Sequence, residues 1–377
     1  MPLYSQIPYP DRRDVRRFFG RERRDSRIFA NFEGNLAECR HVRFSGAKQQ
    51  NEMNTYTIAE LSQLFERHLS QMQIPDDPQQ LYAPIRYAMA EGGKRMRPTL
   101  LLLAYNIFAD DVARALDAAL AVEMFHNFTL LHDDIMDNAA VRRGRPSVYA
   151  KWGSNVAILS GDAMLISAYS FLQNIPSDVL PRVLETFNRM AAQVCEGQQY
   201  DMDFESRTKV SVVDYMNMID LKTSALLAGS TMIGAIMAGA SADDAQKLHR
   251  FATELGLAFQ LQDDLLDSYG DERLGKKIGG DILEGKKTYL MVTAMSKSTE
   301  AQREILRNTH RDESLTDDRK IATVKALYDE LDVPRMTEQQ INIRFARATA
   351  ILDTLDVPAE RTAQLRKYAE SLMGRNK

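Results

Sequence analysis

Apolar residues recur at helical spacing through almost the whole chain after Met53. One such run contains Ile58, Leu61, Leu64 and Phe65, and side chains spaced three and four residues apart share one face of a helix. Proline and glycine separate these runs, and the sequence shows no sustained alternation of apolar and polar residues. It therefore predicts an all-α fold of many helices around a single core.

Two segments, residues 163–172 and 221–237, are apolar on most sides, which is typical of helices in the centre of a core. Residues 53–377 contain no segment with the composition of a linker, so we expect one domain there. Residues 1–52 differ, because arginine is dense and no apolar periodicity is sustained. Interspersed acids disfavour a transit peptide. We interpret this arm as a disordered tail, or as a mis-called extension upstream of a natural start at Met53.

Composition excludes some classes of partner and compartment. A net charge of -4 over 377 residues provides no general basic field for nucleic acid. Cys39 and Cys195 are too few for a disulfide framework, and the apolar helical pattern around Cys195 predicts a buried thiol. The longest apolar runs fall short of the roughly 20 residues that a membrane span needs. We expect a soluble, cytoplasmic protein without a stable membrane span.

An acidic cluster follows one of the apolar runs, in the segment LLHDDIMDNAAVRRGRP. On a helix, Asp133 and Asp137 project from one face while Asp134 sits on the flank. Stacked carboxylates repel each other and favour a cation between them. Taken alone, the segment also fits a solvated helix end that Arg142 and Arg143 neutralise.

The same acidic spacing recurs further along the chain, in FQLQDDLLD, with Asp263, Asp264 and Asp267. Carboxylates without a cysteine or histidine cluster suit Mg²⁺, which binds through one or two carboxylates together with substrate phosphates. We therefore predict that two acidic faces, bridged by magnesium, clamp a diphosphate. The predicted ligands are Asp133, Asp137, Asp263 and Asp267.

Basic residues accompany the acids. Arginine binds phosphate oxygens in a bidentate way and lysine offers a compact charge, so the set suits polyphosphate groups. Lys222 and Thr223 interrupt an apolar helix, where a lysine is costly unless it meets an anion. Gln260 offers a neutral dipole near the second acidic motif, or is a satisfied polar group of the core. For any single basic island, solvated surface charge stays an alternative. The islands comprise Lys94, Arg97, Arg142, Arg143, Lys277 and Lys286.

These motifs, in this order, resemble the trans-isoprenyl diphosphate synthases, also called the polyprenyl synthetase family. The resemblance rests on LLHDDIMDNAAVRRGRP, FQLQDDLLD, GGKRMRP and the pair Lys222 and Thr223, and it extends from Met53 to the C-terminus. It implies the isoprenoid synthase type I fold, in which a large helical bundle surrounds a deep central cavity, usually as a homodimer. It also implies a Mg²⁺-dependent prenyltransferase that condenses isopentenyl diphosphate with an allylic diphosphate, such as the dimethylallyl, geranyl or farnesyl ester.

The resemblance also implies roles for individual positions. The four aspartates of the predicted clamp are the magnesium ligands on the allylic diphosphate. The direct cationic contacts of that diphosphate are Arg142, Lys222, Lys277 and Lys286. The isopentenyl diphosphate pocket consists of Lys94, Arg97, His126 and Arg143. The C-terminal Arg375 and Lys377 resemble a basic tail that closes over the site in some relatives.

The chemistry that the family implies is electrostatic. Magnesium and cations such as Arg142 and Lys222 stabilise the departing diphosphate, and an allylic cation forms in a dry apolar cavity. Thr223, Gln260 and a backbone carbonyl freed at a bend near Lys222 are expected to stabilise that cation. The released diphosphate then accepts the final proton, so no side-chain base is required.

The residues that precede Asp133 on its helix face are expected to set the product length. At 1.5 Å per residue, Phe128 lies about 7.5 Å and Phe125 about 12 Å below the acids, and Thr129 is small. This pattern resembles short-chain geranylgeranyl diphosphate synthases. Farnesyl diphosphate or a longer polyprenyl product is the alternative, and Phe128 could also simply pack in the core.

Two other functions use related features. A class I terpene cyclase also has an aspartate-rich helix, but the second intact aspartate motif and the Arg142 and Arg143 pair argue against it. A catalytically inactive regulatory subunit would be expected to have lost acids or arginines. This chain retains both.

Overall fold

The computed structural model describes residues 55–90, 92–270 and 278–374. Within these ranges the fold is all-α, which confirms the predicted class. The predicted extension, residues 1–52, lies outside the described residues, and so do Lys277, Arg375 and Lys377. Their assignments stay predictions.

Sixteen α-helices run through the described residues, with one two-stranded hairpin between the fourth and the fifth. The helices are α1 (Ile58–Ser70), α2 (Gln79–Met89), α3 (Met96–Phe108), α4 (Leu116–Met136), α5 (Val148–Trp152), α6 (Ser154–Leu172), α7 (Leu180–Ser206), α8 (Val212–Ile219), α9 (Ala225–Met237), α10 (Ala242–Tyr269), α11 (Gly280–Glu284), α12 (Tyr289–Lys297), α13 (Glu300–Asn308), α14 (Asp317–Glu330), α15 (Val333–Leu352) and α16 (Ala359–Met373). The antiparallel strands are β1 (Val141–Arg142) and β2 (Arg145–Pro146). Single 3-10 turns occupy Val112–Ala115 and Thr309–Arg311.

Helix α9 lies in the centre of the fold. It packs against α3, α7 and α10, and all its residues except Met232 are buried. The crossing with α3 requires a glycine, because a Cβ on Gly234 would lie 2.1 Å from the carbonyl oxygen of Leu101. The prediction of a central helix in residues 221–237 is confirmed. A second apolar cluster joins α8, α10, α12, α14 and α15.

The prediction that residues 163–172 are central is wrong. They belong to α6, whose buried side chains in that segment are Met164, Ala168 and Leu172. The outer face of α6 is apolar and exposed. The prediction failed because composition alone does not reveal whether a helix is covered by its own chain. Among the described residues, α6 alone has the length and apolar composition of a membrane span, a test that core helices also pass. The exposed side chains are Ile158, Leu159, Ile166 and Tyr169.

The predicted burial of Cys195 is also wrong. Cys195 lies on α7 and is exposed. The buried stripe of this helix passes through Val194 and Gly197. At 100° per residue, Cys195 is rotated away from Val194 toward solvent.

A π-helical turn, Asp220–Ser224, joins α8 to α9. Two glycines on neighbouring helices make room for it. A Cβ on Gly197 of α7 would lie 2.2 Å from the backbone nitrogen of Lys222, and one on Gly256 of α10 would lie 2.8 Å from the Cα of Ser224. The bend expected near Lys222 is therefore present, as a π turn that α7 and α10 enclose from two sides.

Candidate active site

The first acidic motif lies where α4 ends. Asp133 is in the last turn of the helix, and the N–H of Asp137, just beyond the helix, donates to the Asp133 carbonyl at 2.9 Å. The two acids are thus one helical turn apart, as predicted. Asp134 is buried, with only 2% of its surface exposed.

Arg142, in strand β1, pairs with this motif across the loop that follows α4. Its Nε donates to Asp134 Oδ1 at 2.6 Å, and its Nη2 donates to Asp133 Oδ2 at 3.3 Å. Burial raises the pKa of Asp134, although the charge of Arg142 opposes that shift. In the protein alone, Arg142 therefore neutralises the acids, which is one of the two interpretations that the sequence left open. Arg143 does not join it, since its Nη1 donates to the Gly92 carbonyl at 3.1 Å.

The second acidic motif lies near the C-terminal end of α10. Asp263 and Asp267 are partly exposed, whereas Asp264 is buried. The Oδ2 of Asp267 accepts a hydrogen bond of 3.0 Å from the backbone N–H of Asp281, in the first turn of α11. Burial, together with the charge of Asp267, raises the pKa of Asp281 to about 7.

Lys222 lies between acids from two helices. Its Nζ is 2.5 Å from Asp201 Oδ2 on α7 and 3.7 Å from Asp133 Oδ1 on α4. Burial alone would lower the pKa of Lys222, but Asp201 and Asp133 outweigh it and raise that pKa. Lys222 is therefore a firmly charged cation beside the first motif. Thr223, the next residue, faces α10, where its Oγ1 donates to Gln260 Oε1 at 3.1 Å.

Lys286 supplies a second cation close to both motifs. Its Nζ is 2.9 Å from Glu284 Oε2 and 3.8 Å from Asp281 Oδ1. Burial lowers the pKa of Lys286, but Glu284 and Asp281 raise it by more, and Asp137 adds to the rise. Since Asp137 belongs to the first motif and Asp281 contacts the second, Lys286 lies where both acidic faces act on it.

Arg97 and His126 form the centre of a separate basic pocket. Arg97 Nη1 lies 3.0 Å from His126 Nε2. Because arginine has only donors, Nε2 must accept, which makes the imidazole neutral with its proton on Nδ1. Burial, followed by Arg97 and Arg143, lowers the pKa of His126 well below its usual value. Burial also lowers the pKa of Arg97, to about 10, so Arg97 stays charged at neutral pH.

Two further predicted residues border this pocket. The guanidinium of Arg143 lies over Gly93, where a Cβ would be 2.9 Å from Arg143 Nη1. Lys94 follows in the same loop and is exposed. The structure thus places Arg97, His126 and Arg143 together, with Lys94 adjacent at the surface.

A buried ion pair supports the loop that carries Lys94 and Arg97. Arg95, between them, has a left-handed backbone with φ of 43° and is buried. Its Nη1 donates to buried Glu123 at 2.7 Å, and its Nε donates to half-exposed Glu66 at 3.1 Å. Arg95 is therefore a structural cation that anchors the loop to α1 and α4.

The donor chemistry of the two motifs fits a divalent metal shared with a substrate. Asp133 Oδ1 is buried and has the distant ion pair with Lys222 but no hydrogen-bond partner. Within the described ranges, no three acidic, histidine or cysteine side chains are arranged to hold a metal ion by themselves. Carboxylate oxygens on separate faces instead suit a hard cation that completes its coordination with phosphate oxygens.

The sequence reading missed two acids of this site. Asp201 pairs with Lys222, and Asp281 contacts Asp267. Neither belongs to a repeated motif, so local spacing provides no signal for them. Only tertiary packing brings α7 and α11 against the predicted residues.

The predicted length-determining residues lie on α4 among aromatic side chains. Phe128 is partly buried, and its ring centroid lies 5.5 Å from that of Phe125 and 4.8 Å from that of His132. Phe125 is fully buried and packs on Phe187 of α7 at 5.4 Å. Thr129 is half-buried, and its Oγ1 donates to the His126 carbonyl at 2.8 Å. Phe128 thus lies between Phe125 and His132 in a row of stacked aromatic rings.

Comparisons with known proteins agree on one family. A family model described as polyprenyl synthetase matches residues 78–331. A geranylgeranyl diphosphate synthase from Methanosarcina mazei is 43% identical over 224 residues, which cover 58% of this chain and 69% of the relative. A crystal structure of a geranylgeranyl pyrophosphate synthase gives a TM-score of 0.81 at 40% identity, and covers 85% of this chain and 100% of that one. A geranylgeranyl pyrophosphate synthase from Corynebacterium glutamicum, solved with isoprenyl diphosphate and magnesium, gives a TM-score of 0.72 at 29% identity. That match covers 84% of this chain and 97% of that one.

The Arg95 network generates a prediction about stability. Arg95→Met leaves Glu123 buried without its cation, and loss of one partner from a buried ion pair costs about 3 to 5 kcal/mol. We expect the free energy of unfolding, measured by urea denaturation, to fall by that amount. Glu66→Gln, which breaks only the half-exposed contact, is the control and should cost about 1 kcal/mol or less. Equal losses in the two variants would contradict the assignment.

Proposed function

The chain belongs to the polyprenyl synthetase family and is a prenyltransferase, and from this premise we propose that it condenses isopentenyl diphosphate with allylic diphosphates to form geranylgeranyl diphosphate. One observation carries the proposal. Lys222 lies beside the first acidic motif, while its neighbour Thr223 contacts the helix of the second. The two acidic faces and their cations therefore belong to one site.

We assign the allylic diphosphate to the space between the acidic faces. A diphosphate there needs positive charge, which Lys222, Lys286 and Arg142 supply from the chain. The family generally uses a divalent metal. We propose Mg²⁺, which the four predicted aspartates would hold together with substrate oxygens and which would neutralise the departing diphosphate. Those aspartates are Asp133, Asp137, Asp263 and Asp267.

Arg142 can contact this diphosphate while it keeps its hydrogen bond to Asp134. Its Nε edge is held by buried Asp134 at 2.6 Å, whereas its contact with Asp133 is longer, at 3.3 Å. A guanidinium has five donor hydrogens, so the edge bound to Asp134 leaves others for phosphate oxygens. Asp134 thus sets the orientation in which Arg142 meets a ligand.

We assign isopentenyl diphosphate to the pocket of Lys94, Arg97, His126 and Arg143. Arg97 and Arg143 provide two charged donors, and neutral His126 adds no further positive charge to them. Because Arg142 and Arg143 are adjacent in the chain, the two diphosphates would lie on either side of the hairpin. This places an arginine on each substrate.

Cleavage of the allylic carbon–oxygen bond leaves negative charge on the diphosphate and positive charge on the hydrocarbon. Lys222 and Arg142 stabilise the first, since fixed cations in a site of low dielectric need no reorganisation. The Oε1 of Gln260 and the hydroxyl oxygen of Thr223 present negative dipole ends to the second. The isopentenyl double bond then attacks the cation, and the released diphosphate takes the proton that is lost.

We propose that Phe128 sets the length of the product. It lies five residues before Asp133, about 7.5 Å along the helix axis, and the buried ring of Phe125 supports it from behind. Thr129, one residue later, is too small to close the cavity earlier. A chain that grows down α4 would therefore stop at Phe128.

We also propose a homodimer that buries the exposed apolar face of α6. Leu159 and Ile166 are 61% and 67% exposed, and they lie on the same face as Ile158 and Tyr169. A contiguous apolar face on a folded domain is typical of a protein interface. Cytoplasmic localisation stays a prediction from the sequence.

The first prediction from this proposed function tests the reaction itself. Purified protein with Mg²⁺, isopentenyl diphosphate and dimethylallyl, geranyl or farnesyl diphosphate should give geranylgeranyl diphosphate by chromatography. EDTA should abolish the activity, and added Mg²⁺ should restore it. Asp263→Asn should lower kcat about a hundredfold or more, while Asp318→Asn, an exposed acid of α14, should leave it unchanged. Cyclised hydrocarbons would instead indicate a terpene cyclase, and complete inactivity would indicate a regulatory subunit.

The second prediction concerns product length. Phe128→Ala removes the ring between Phe125 and His132, so we expect products at least one five-carbon unit longer than those of the wild type. Phe108→Ala, at the far end of α3, removes the same volume elsewhere and should leave the chain length unchanged. An unaltered product distribution in Phe128→Ala would count against Phe128 as the floor.

The third prediction concerns assembly. Light scattering after size exclusion should give the wild type a mass near twice the 42.7 kDa of one chain. Ile166→Asp places a charge in the proposed interface and should shift the protein to a single-chain mass, because burying an unpaired carboxylate is costly. Ile343→Asp, on the exposed side of α15, is the matched control and should keep the wild-type mass. A dimer unaffected by Ile166→Asp would place the interface elsewhere.

A further inference from the structure

We propose that Asp264, the second acid of the second motif, is a positioning residue that fixes which end of the Gln260 amide faces the reacting allylic cation. The proposal rests on the proposed function, because the cation is its intermediate. Asp264 differs from its neighbours in the motif. It is 4% exposed, whereas Asp263 and Asp267 are partly open to solvent.

The hydrogen bonds of Asp264 use both of its oxygens. Oδ1 accepts from Gln260 Nε2 at 3.0 Å. Oδ2 accepts from the backbone N–H of Tyr289 at 3.1 Å and from the hydroxyl of Tyr215. Three donors from α8, α10 and α12 thus converge on one buried carboxylate. Both of its oxygens accept hydrogen bonds from the protein, so its role differs from that of Asp263 and Asp267, the proposed metal ligands.

The carboxylate decides the orientation of the Gln260 amide. The two ends of an amide have nearly the same shape, so its hydrogen-bond partners determine which end faces which way. An ionised carboxylate only accepts, so Gln260 must turn Nε2 toward Asp264. Oε1 then points the other way, where it accepts from Thr223 Oγ1.

This orientation sets the sign of a dipole in the site. With Oε1 toward Thr223 and the turn that carries Lys222, the negative end of the amide faces the place where positive charge develops. The reverse orientation would present two N–H groups there and would oppose the cation. Asp264 therefore acts on the reaction through Gln260, without contacting substrate itself.

Asp264→Asn tests this directly. The oxygen of the new amide stays with the N–H of Tyr289 and the hydroxyl of Tyr215, so its NH₂ group faces Gln260. Gln260 must then flip and turn Nε2 toward Thr223. We expect kcat for elongation of farnesyl diphosphate to fall about 10- to 100-fold, with KM for both substrates changed less than about threefold, because no diphosphate contact is touched.

A double variant reverses the pattern without changing the net charge. When Gln260→Glu is combined with Asp264→Asn, the NH₂ group introduced at position 264 donates to one oxygen of the carboxylate introduced at position 260. The other oxygen of that carboxylate accepts from Thr223. We expect this double variant to recover most of the kcat that Asp264→Asn loses. Gln260→Glu alone sets two carboxylates face to face and should be less active than the double variant. That comparison also serves if Asp264→Asn alone fails to fold.

Tyr215→Phe separates positioning from general support. It removes a donor to the same carboxylate but leaves the bond between Asp264 and Gln260 in place. We expect a lower unfolding temperature with kcat within about threefold of the wild type. Equal losses of kcat in Tyr215→Phe and Asp264→Asn, or no recovery in the double variant, would overturn the proposal. Wild-type elongation in the same assay is measured first, so a failure of the proposed function is recognised separately.

Discussion

The charge of Lys222 holds the acids of α4 and α7 together beside the first acidic motif. Asp133 and Asp201, which meet at this lysine, repel each other, and such repulsion grows as water is excluded. Lys222 offsets it through Asp133 and Asp201, and these acids in turn keep the lysine charged although burial disfavours the charge. Lys222 occupies this position because it lies on a π turn. That turn fits between α7 and α10 only because Gly197 and Gly256 have no side chains.

Adjacent acids in each motif have different tasks, for a geometric reason. Neighbouring residues on a helix point about 100° apart, so when one acid of a pair faces the cavity, the other turns toward the protein. Asp134 is buried against Arg142, and Asp264 is buried against Gln260. In both motifs the buried acid orients a group that itself faces the site. A doubled aspartate thus combines a carboxylate that we propose as a metal ligand with the support of its neighbour.

The sequence predicts best what depends on local spacing. Helical periodicity is enough to predict the all-α class. The spacing of the acids predicts that Asp133 and Asp137 share one helix face and that Asp263 and Asp267 share another. Both patterns are properties of a single helix. Contacts between distant elements were out of reach, so Asp201 and Asp281 were missed. Composition also failed to predict which face of α6 is exposed to solvent. An apolar α6 predicts burial, but nothing in its own residues tells whether this chain or another covers it.

The exposed helix α6 is linked mechanically to the floor of the cavity. Phe128 packs edge-on against His132, whose Nε2 lies 3.2 Å from the Ile158 carbonyl of α6. The imidazole rests on Gly161, where a Cβ would lie 2.3 Å from Nε2. The residue proposed to set product length therefore contacts α6 through His132, and the exposed side of the same helix is the apolar surface proposed for dimerisation. A partner that clamps α6 would also restrict the movement of His132, so the position of the floor would depend on assembly as well as on the identity of Phe128.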